Sequence, residues 1–163
     1  MNTSLMKKII ICTSIILTIF FLDRISKIYI IQFITEDLNS SIYINQFLSF
    51  NLVWNKGIAF GLFSFEKLFI YNFITILIVI INLIILYLII IYKDIRVYFF
   101  LMIMGGSLGN LFDRLYYKSV PDFIDINYQE YHWFIFNVSD IFITFGVICL
   151  IIAELIMNKK NNE

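Results

Sequence analysis

The chain has 163 residues, of which 61% are hydrophobic and 15% charged, and its formal net charge is zero. Soluble domains are about 45–50% apolar and about 25% charged, so this composition excludes a water-soluble domain of ordinary type. The basic residues do not cluster on one segment, which argues against a nucleic-acid partner. Both cysteines, Cys12 and Cys149, lie inside apolar runs and are expected to be free, buried side chains.

Four predicted membrane spans organise the chain. A helix needs roughly 20 mostly apolar residues to cross the hydrocarbon core, and residues 68–92 contain no charged side chain. Residues 9–30, 97–115 and 134–157 are more polar at one end. The first span follows Lys7 and Lys8 as a signal peptide would, but no small-residue cleavage site follows it. We predict one all-α integral membrane domain with four transmembrane helices and a small extracytoplasmic β-containing flap.

The flap is predicted at residues 32–67. Residues 41–54 are rich in β-branched and aromatic side chains, which favours strands. Trp54 suits the membrane–water interface.

An even number of spans places both termini on one side of the membrane. The two sides carry six basic residues each, so a raw count does not orient the chain. If Arg24, Lys27 and Arg114 belong to a functional site, the remaining count favours cytoplasmic termini. The site would then open at the extracytoplasmic face.

Polar residues concentrate around the last two spans. Asn110, Asp113 and Arg114 share a helix face near the end of the third span, while Asn137 and Asp140 begin the fourth. Ionisable groups at membrane depth need partners or a water-lined cavity, and they indicate function. Because the connection between these spans is short, we expect the two polar faces to converge.

Asp122 lies in the predicted loop between these spans, among apolar neighbours. Desolvation and a second carboxylate would both disfavour its charged form. Asp122 and Asp140 could then share one proton, so that one activates a water while the other polarises a carbonyl. Capping of a turn by Asp122 and of the fourth helix by Asp140 explains the spacing equally well.

Other chemistries have weaker support. Residues 105–109 match the pattern G-x-S-x-G, but they lie in an apolar helix without a nearby histidine base; Gly105 and Gly109 fit close helix packing better. A serine–lysine dyad has no spacing to select its pair. A carboxylate metal site lacks any metal-ligand spacing.

Five blocks in order resemble the lipoprotein signal peptidase family, also called signal peptidase II, over essentially the whole chain. The blocks are DRISK at 23–27, NKGIAFG at 55–61, GGSLGNLFDR at 105–114, VPDFI at 120–124 and FNVSD at 136–140. Pro121 and Ser139 depart from the usual pattern, where a small β-branched residue and alanine are typical. Neither departure removes a carboxylate.

The resemblance implies a bacterial cell-membrane aspartyl peptidase without metal or cofactor, acting as a monomer. Its substrate would be a diacylglyceryl-modified prolipoprotein embedded in membrane lipid, cut before the lipidated cysteine. Asp122 and Asp140 would be catalytic. The residues implied to bind substrate or brace the site are Asn55, Gly57, Asn110, Asp113, Arg114, Asn137, Asp23 and Lys27.

Two other function classes use the same residues. A small ion- or proton-conducting transporter could relay ions through Asp113, Asp122 and Asp140. A membrane scaffold could instead bind a partner helix on its polar face. Replacing the two aspartates by asparagine discriminates among the three.

Overall fold

The computed structural model describes residues 3–36, 41–57, 67–129 and 131–161. Four helices and four strands follow one another along the chain. They are α1 (Thr3–Glu36), β1 (Ser41–Asn45), β2 (Leu48–Asn55), α2 (Lys67–Ile91), α3 (Arg96–Tyr117), β3 (Val120–Tyr128), β4 (Tyr131–Phe136) and α4 (Val138–Asn161).

Three stretches of these helices are long and apolar enough to cross a membrane, namely Thr3–Ile34, Phe69–Ile91 and Val138–Asn158. Large apolar side chains cover their outer faces, as a lipid solvent allows. α3 has 22 residues, about 33 Å at 1.5 Å per residue, but it is too polar to meet the same criterion. The predicted membrane fold is therefore confirmed in outline, and the fourth span stays a prediction.

α3 is the central helix and packs against α1, α2 and α4. Its Leu101 is fully buried, in a cluster that includes Ile85 and Ile89 of α2. Asn82 of α2 donates its amide N–H to Ser107 Oγ at 2.8 Å, an interhelical bond of the kind that joins helices in membranes. Ser107 therefore serves helix packing, and the G-x-S-x-G pattern lies within a continuous helix.

Glycines allow the neighbours of α3 to approach closely. A Cβ at Gly105 would lie 2.8 Å from Cβ of Ile19 in α1, and one at Gly106 would lie 2.6 Å from the carbonyl oxygen of Ser139 in α4. Gly105 therefore has the predicted packing role, and the helix that packs against it is α1.

The four strands form one antiparallel sheet in the order β1-β2-β3-β4. The β1–β2 hairpin is the predicted strand region of the flap, and its β2 pairs with β3 so that Val53 opposes Asp122. Residues 37–40 and 58–66 of the predicted flap lie outside the described residues.

The sequence interpretation was wrong in two places. Residues 116–133 were predicted to be a loop, but Val120–Tyr128 forms the long strand β3. The fourth span was predicted to begin at about residue 134, whereas Phe134–Phe136 ends strand β4 and α4 begins at Val138. The run from Phe134 to Phe136 is apolar because it is a strand beside the bilayer-facing helix, and composition alone does not separate the two structures.

Candidate active site

All ten residues proposed from sequence lie in the described part of the chain, and they form one connected polar region. Asp122 comes from β3, Asp140 from the first turn of α4, and Asn55 from the last position of β2. Asn110 and Asp113 come from the second half of α3, and Asp23 and Lys27 from the middle of α1. Five separate elements therefore converge where the helical bundle meets the sheet.

Asn137 bridges the two aspartates. Its side-chain amide donates to Asp122 Oδ1 at 2.6 Å, and its backbone N–H donates to Asp140 Oδ2 at 3.1 Å. The Asp140 backbone N–H donates back to Asn137 Oδ1 at 3.2 Å. This reciprocal pair is a capping box at the start of α4. Asp140 thus does cap its helix, as the alternative interpretation held, while its carboxylate also faces the polar region.

Each remaining carboxylate oxygen also accepts from an asparagine. Asn55 donates to Asp122 Oδ2 at 2.8 Å, and Asn110 donates to Asp140 Oδ1 at 2.8 Å. All four oxygens of the two aspartates therefore face N–H donors. A carboxyl group fits this environment better than an amide, because an amide at either position would set N–H against N–H.

A donor fixes the orientation of each of the three asparagine amides. The Gly57 N–H donates to Asn55 Oδ1 at 2.7 Å, and Lys27 Nζ donates to Asn110 Oδ1 at 3.0 Å. The Asp140 N–H does the same for Asn137. Because the oxygen of each amide is engaged, its NH₂ group must point to the aspartates.

Asp122 is only 4% exposed, and its burial raises the pKa of its carboxyl group above the ordinary value. Hydrogen bonds from Asn137 and Asn55 oppose this shift, and the nearby charge of Asp140 adds to it. Asp122 therefore takes up a proton more readily than a solvated aspartate does.

A buried ion cluster lies beside the aspartates. Lys27 is fully buried and donates to Asp23 Oδ2 at 2.9 Å and to Asp113 Oδ2 at 2.7 Å. With its bond to Asn110, the ammonium group uses all three donors. Arg24 adds a second cation 2.5 Å from Asp113 Oδ1. Two cations thus balance two carboxylates, as burial of charge requires.

The ion cluster also anchors α4. Asp23 Oδ1 accepts the Ser139 backbone N–H at 3.0 Å, so a carboxylate of α1 satisfies a free donor in the first turn of α4, where the helix dipole favours negative charge. The ion cluster does not contact Asp122 or Asp140 through the hydrogen bonds described above. It positions Asp140 indirectly, through Asn110 and the start of α4.

Gly57 and Arg114 lie against each other at the edge of the site. Gly57 has φ +76°, and a Cβ there would lie 2.7 Å from an Arg114 guanidinium nitrogen. Arg114 is 7% exposed, and its backbone carbonyl accepts from the Tyr71 hydroxyl. Among the described residues, its Nε and Nη1 are buried and have no hydrogen-bond partner.

An apolar groove of about 560 Å³ opens beside Asp140. Its walls come from β4 and the first half of α4, including Phe134, Ile141, Phe145 and Ile148. The Asp140 carboxylate lies at this groove, so an apolar ligand seated there would place its polar end against the aspartates.

Sequence reasoning missed a second polar cluster in the sheet, around Asp125. This fully buried carboxylate accepts from Asn51 at 2.5 Å, and His132 Nδ1 lies 2.6 Å from it. Burial disfavours its charge, but hydrogen bonds from Asn51, His132 and Asn127 outweigh burial and lower the pKa of Asp125. No sequence signal could pair these residues, because the contacts depend on the β2–β3–β4 register.

The serine–lysine and metal alternatives gain no support from the geometry. Lys27 is bound by two carboxylates and an amide. Within the described ranges, no three metal-ligating side chains converge, and the oxygens of Asp122 and Asp140 are turned towards N–H donors.

The sequence model of the family described as "Signal peptidase (SPase) II" matches residues 15–156. The chain belongs to the signal peptidase II family. It is 49% identical to the lipoprotein signal peptidase of Pelagibacter ubique (strain HTCC1062) over 164 residues, which cover 100% of this chain and 99% of that relative. It is 34% identical to the lipoprotein signal peptidase of Anaplasma marginale (strain Florida), with 95% and 90% of the two chains covered.

Two solved structures resemble this signal peptidase II chain. Both are bacterial membrane enzymes determined by the in meso method, and both are 31% identical to it. The first has a TM-score of 0.74 and covers 93% of this chain and 91% of its own; the second has a TM-score of 0.67 with 88% and 92% covered. Membership in the family implies a peptidase, and the apolar helices make it a membrane protein.

Proposed function

We propose that this chain is a membrane aspartyl endopeptidase that removes the signal peptide from diacylglyceryl-modified prolipoproteins, cutting before the lipidated cysteine. The bridging of Asp122 and Asp140 by Asn137 carries the proposal. It holds two carboxyl groups in one fixed arrangement next to an apolar groove, and burial raises the pKa of one of them, Asp122.

The pair would act with one shared proton. Asp122 holds it, since burial raises its pKa, and Asp140 is the base. Asp140 accepts a proton from a water molecule as the water oxygen bonds to the scissile carbonyl carbon, while the Asp122 proton hydrogen-bonds to the carbonyl oxygen. Collapse of the tetrahedral species breaks the C–N bond, and the proton that Asp140 took from water passes to the leaving amine of the lipidated cysteine.

The groove and Arg114 suit such a substrate. A signal peptide is an apolar helix with a polar end, so it can lie against Phe145 and Ile148 with its cleavage site at Asp140. We assign to Arg114, whose Nε and Nη1 have no partner among the described residues, a hydrogen bond to a carbonyl or ester oxygen near the lipidated cysteine. No step of this mechanism requires a metal ion or another cofactor.

We further propose that α3 is the fourth span and that both termini are cytoplasmic, so that the aspartates lie at the extracytoplasmic face. Asp113 of α3 is paired inside the bundle with Lys27 and Arg24, and pairing lowers the cost of placing charge at membrane depth.

The test is cleavage of a synthetic diacylglyceryl-modified prolipoprotein peptide by the full chain in detergent micelles. We expect Asp122→Asn and Asp140→Asn each to lower the rate about 10²–10⁴-fold, the usual contribution of a general acid or base. Asp125→Asn is the matched control, a buried carboxylate on the same strand that should retain activity. Full activity in either asparagine variant contradicts the mechanism. An ion flux in liposomes that either variant abolishes would instead support a transporter.

A further inference from the structure

Three lysines gather at the end of the bundle away from the aspartates. Lys7 and Lys8 lie in the first turns of α1, and Lys93 follows α2. Lys8 and Lys27 are nineteen positions apart on α1, a rise of about 28 Å at 1.5 Å per residue. This length is close to the thickness of the hydrocarbon core, so the lysines lie at the opposite membrane surface.

These lysines line a cavity of about 280 Å³, together with Val97 and Tyr98 of α3. All three side chains are exposed, and within the described part of the chain none of them forms an ion pair. The one acidic residue of the lining, Asp94, is held by Arg96 at 2.6 Å. Those hydrogen bonds lower the pKa of Asp94 to about 2, so its charge is balanced by Arg96 and not by the lysines.

An apolar groove of about 350 Å³ continues from this cavity into the membrane. The two share Lys8 and Cys12. Side chains of α1 and α2, among them Ile16 and Ile89, form its walls, and Leu101 of α3 also contributes. The groove therefore joins a cationic pocket at the surface to an apolar channel at acyl-chain depth.

We propose that this composite site binds an anionic diacyl phospholipid, with its phosphate among Lys7, Lys8 and Lys93 and one acyl chain along the α1–α2 groove. Charge complementarity selects this occupant, since basic pockets between membrane helices bind anionic head groups. An apolar partner helix would leave three ammonium groups unmatched. A free phosphate would leave the groove unused.

Native mass spectrometry of the full chain in detergent micelles tests the site. The probes are dioleoyl phosphatidylglycerol, dioleoyl phosphatidylcholine with the same tails, and glycerol 3-phosphate without tails. The test variant is Lys8→Gln/Lys93→Gln. Its control is Lys56→Gln/Lys118→Gln, which removes the same charge from exposed positions at the sheet end of the bundle.

We expect phosphatidylglycerol to bind tighter than phosphatidylcholine, and the test variant to bind it about 30-fold more weakly, at about 1 kcal/mol for each lysine. The control should keep the preference. Thr13→Phe, which fills the groove, should weaken both lipids. Equal binding of the two lipids, wild-type affinity in the test variant or an equal loss in the control overturns the proposal. Glycerol 3-phosphate binding as tightly as phosphatidylglycerol also overturns it, because the ligand would then be a free phosphate.

The lipid site and the peptidase can fail separately. Binding is measured without a peptide substrate, and none of the substituted lysines contacts the aspartates. A protein that cleaves the lipidated peptide but does not prefer phosphatidylglycerol would retain its proposed function and lose the lipid site.

Discussion

Asn137 and Asp140 each donate a backbone N–H to the side chain of the other, at 3.1 and 3.2 Å. The same contact starts α4 and aims the Asn137 amide at Asp122. Helix capping and site geometry are therefore one structural feature here, so a substitution that weakens the cap also moves an aspartate.

The pH dependence of cleavage should report the surroundings of Asp122. Asn55→Ala removes a hydrogen bond that favours the ionised carboxylate, so the pKa of Asp122 rises further above its ordinary value. If Asp122 must keep the shared proton, activity persists to higher pH. We expect the alkaline limb of the pH profile of kcat/KM to move to higher pH in this variant. The limb belongs to the coupled pair of aspartates and not to one residue.

Asn51→Ala is the matched control for that profile. It removes an amide of the same strand that serves Asp125 instead, and its alkaline limb should stay in place. A limb that moves to lower pH in Asn55→Ala would show that Asp122 does not hold the proton.

Lys27 should be required for the stability of the fold. Lys27→Met leaves Asp23 and Asp113 buried with Arg24 as their one remaining cation partner among the described residues, and breaking a buried pair typically costs about 3–5 kcal/mol. Unfolding in mixed micelles measures this loss. The exposed substitution Lys56→Met should leave stability nearly unchanged, and equal stability of the two variants would show that the ion cluster does not hold α1 to α3.

Ser139→Ala should stabilise the protein. The Ser139 side chain is fully buried, and its Oγ has no hydrogen-bond partner among the described residues. Its backbone N–H keeps its bond to Asp23. Removing a buried hydroxyl without a partner should raise the free energy of unfolding by about 1 kcal/mol. A loss of stability of that size would indicate an unseen partner for the hydroxyl.

Gly109→Ala should act in the opposite direction. A Cβ at this position would lie 2.6 Å from Asp23 Oδ2 and closer still to Ser139 Oγ. The strain falls on the contact that ties α1 to α4, so we expect a lower unfolding temperature together with slower cleavage. An unchanged unfolding temperature would contradict the close approach of these helices.

Cysteine labelling tests the orientation. In a Cys12→Ala/Cys149→Ala background, Lys93→Cys and Tyr131→Cys flank α3 at exposed positions. A membrane-impermeant maleimide should label Tyr131→Cys in intact cells. It should label Lys93→Cys only after the membrane has been permeabilised. Labelling of both from one side would mean that α3 does not span the membrane.

The sequence predicted the helices well because apolar length is a local property. Residues 68–92 were placed within one residue of α2, whereas β3 was missed because Pro121 and Asp125 are atypical of a strand and its pairing partners are distant in sequence. The residues of the candidate site were named from ordered motifs. Their hydrogen bonds could not be predicted from the motifs, because the orientation of the Asn110 amide depends on Lys27, which lies 83 positions away. The catalytic roles of Asp122 and Asp140 stay predictions.

The sheet has a consequence for biosynthesis. Its central pair joins β2, made before α2, to β3, made after α3, and the second aspartate arrives only with α4. A ribosome-bound chain that has inserted its first three helices holds Asp122 without Asp140 or Asn137. Under the proposed mechanism, the nascent protein is therefore inactive until its last helix enters the bilayer, and it cannot cleave neighbouring signal peptides during its own synthesis.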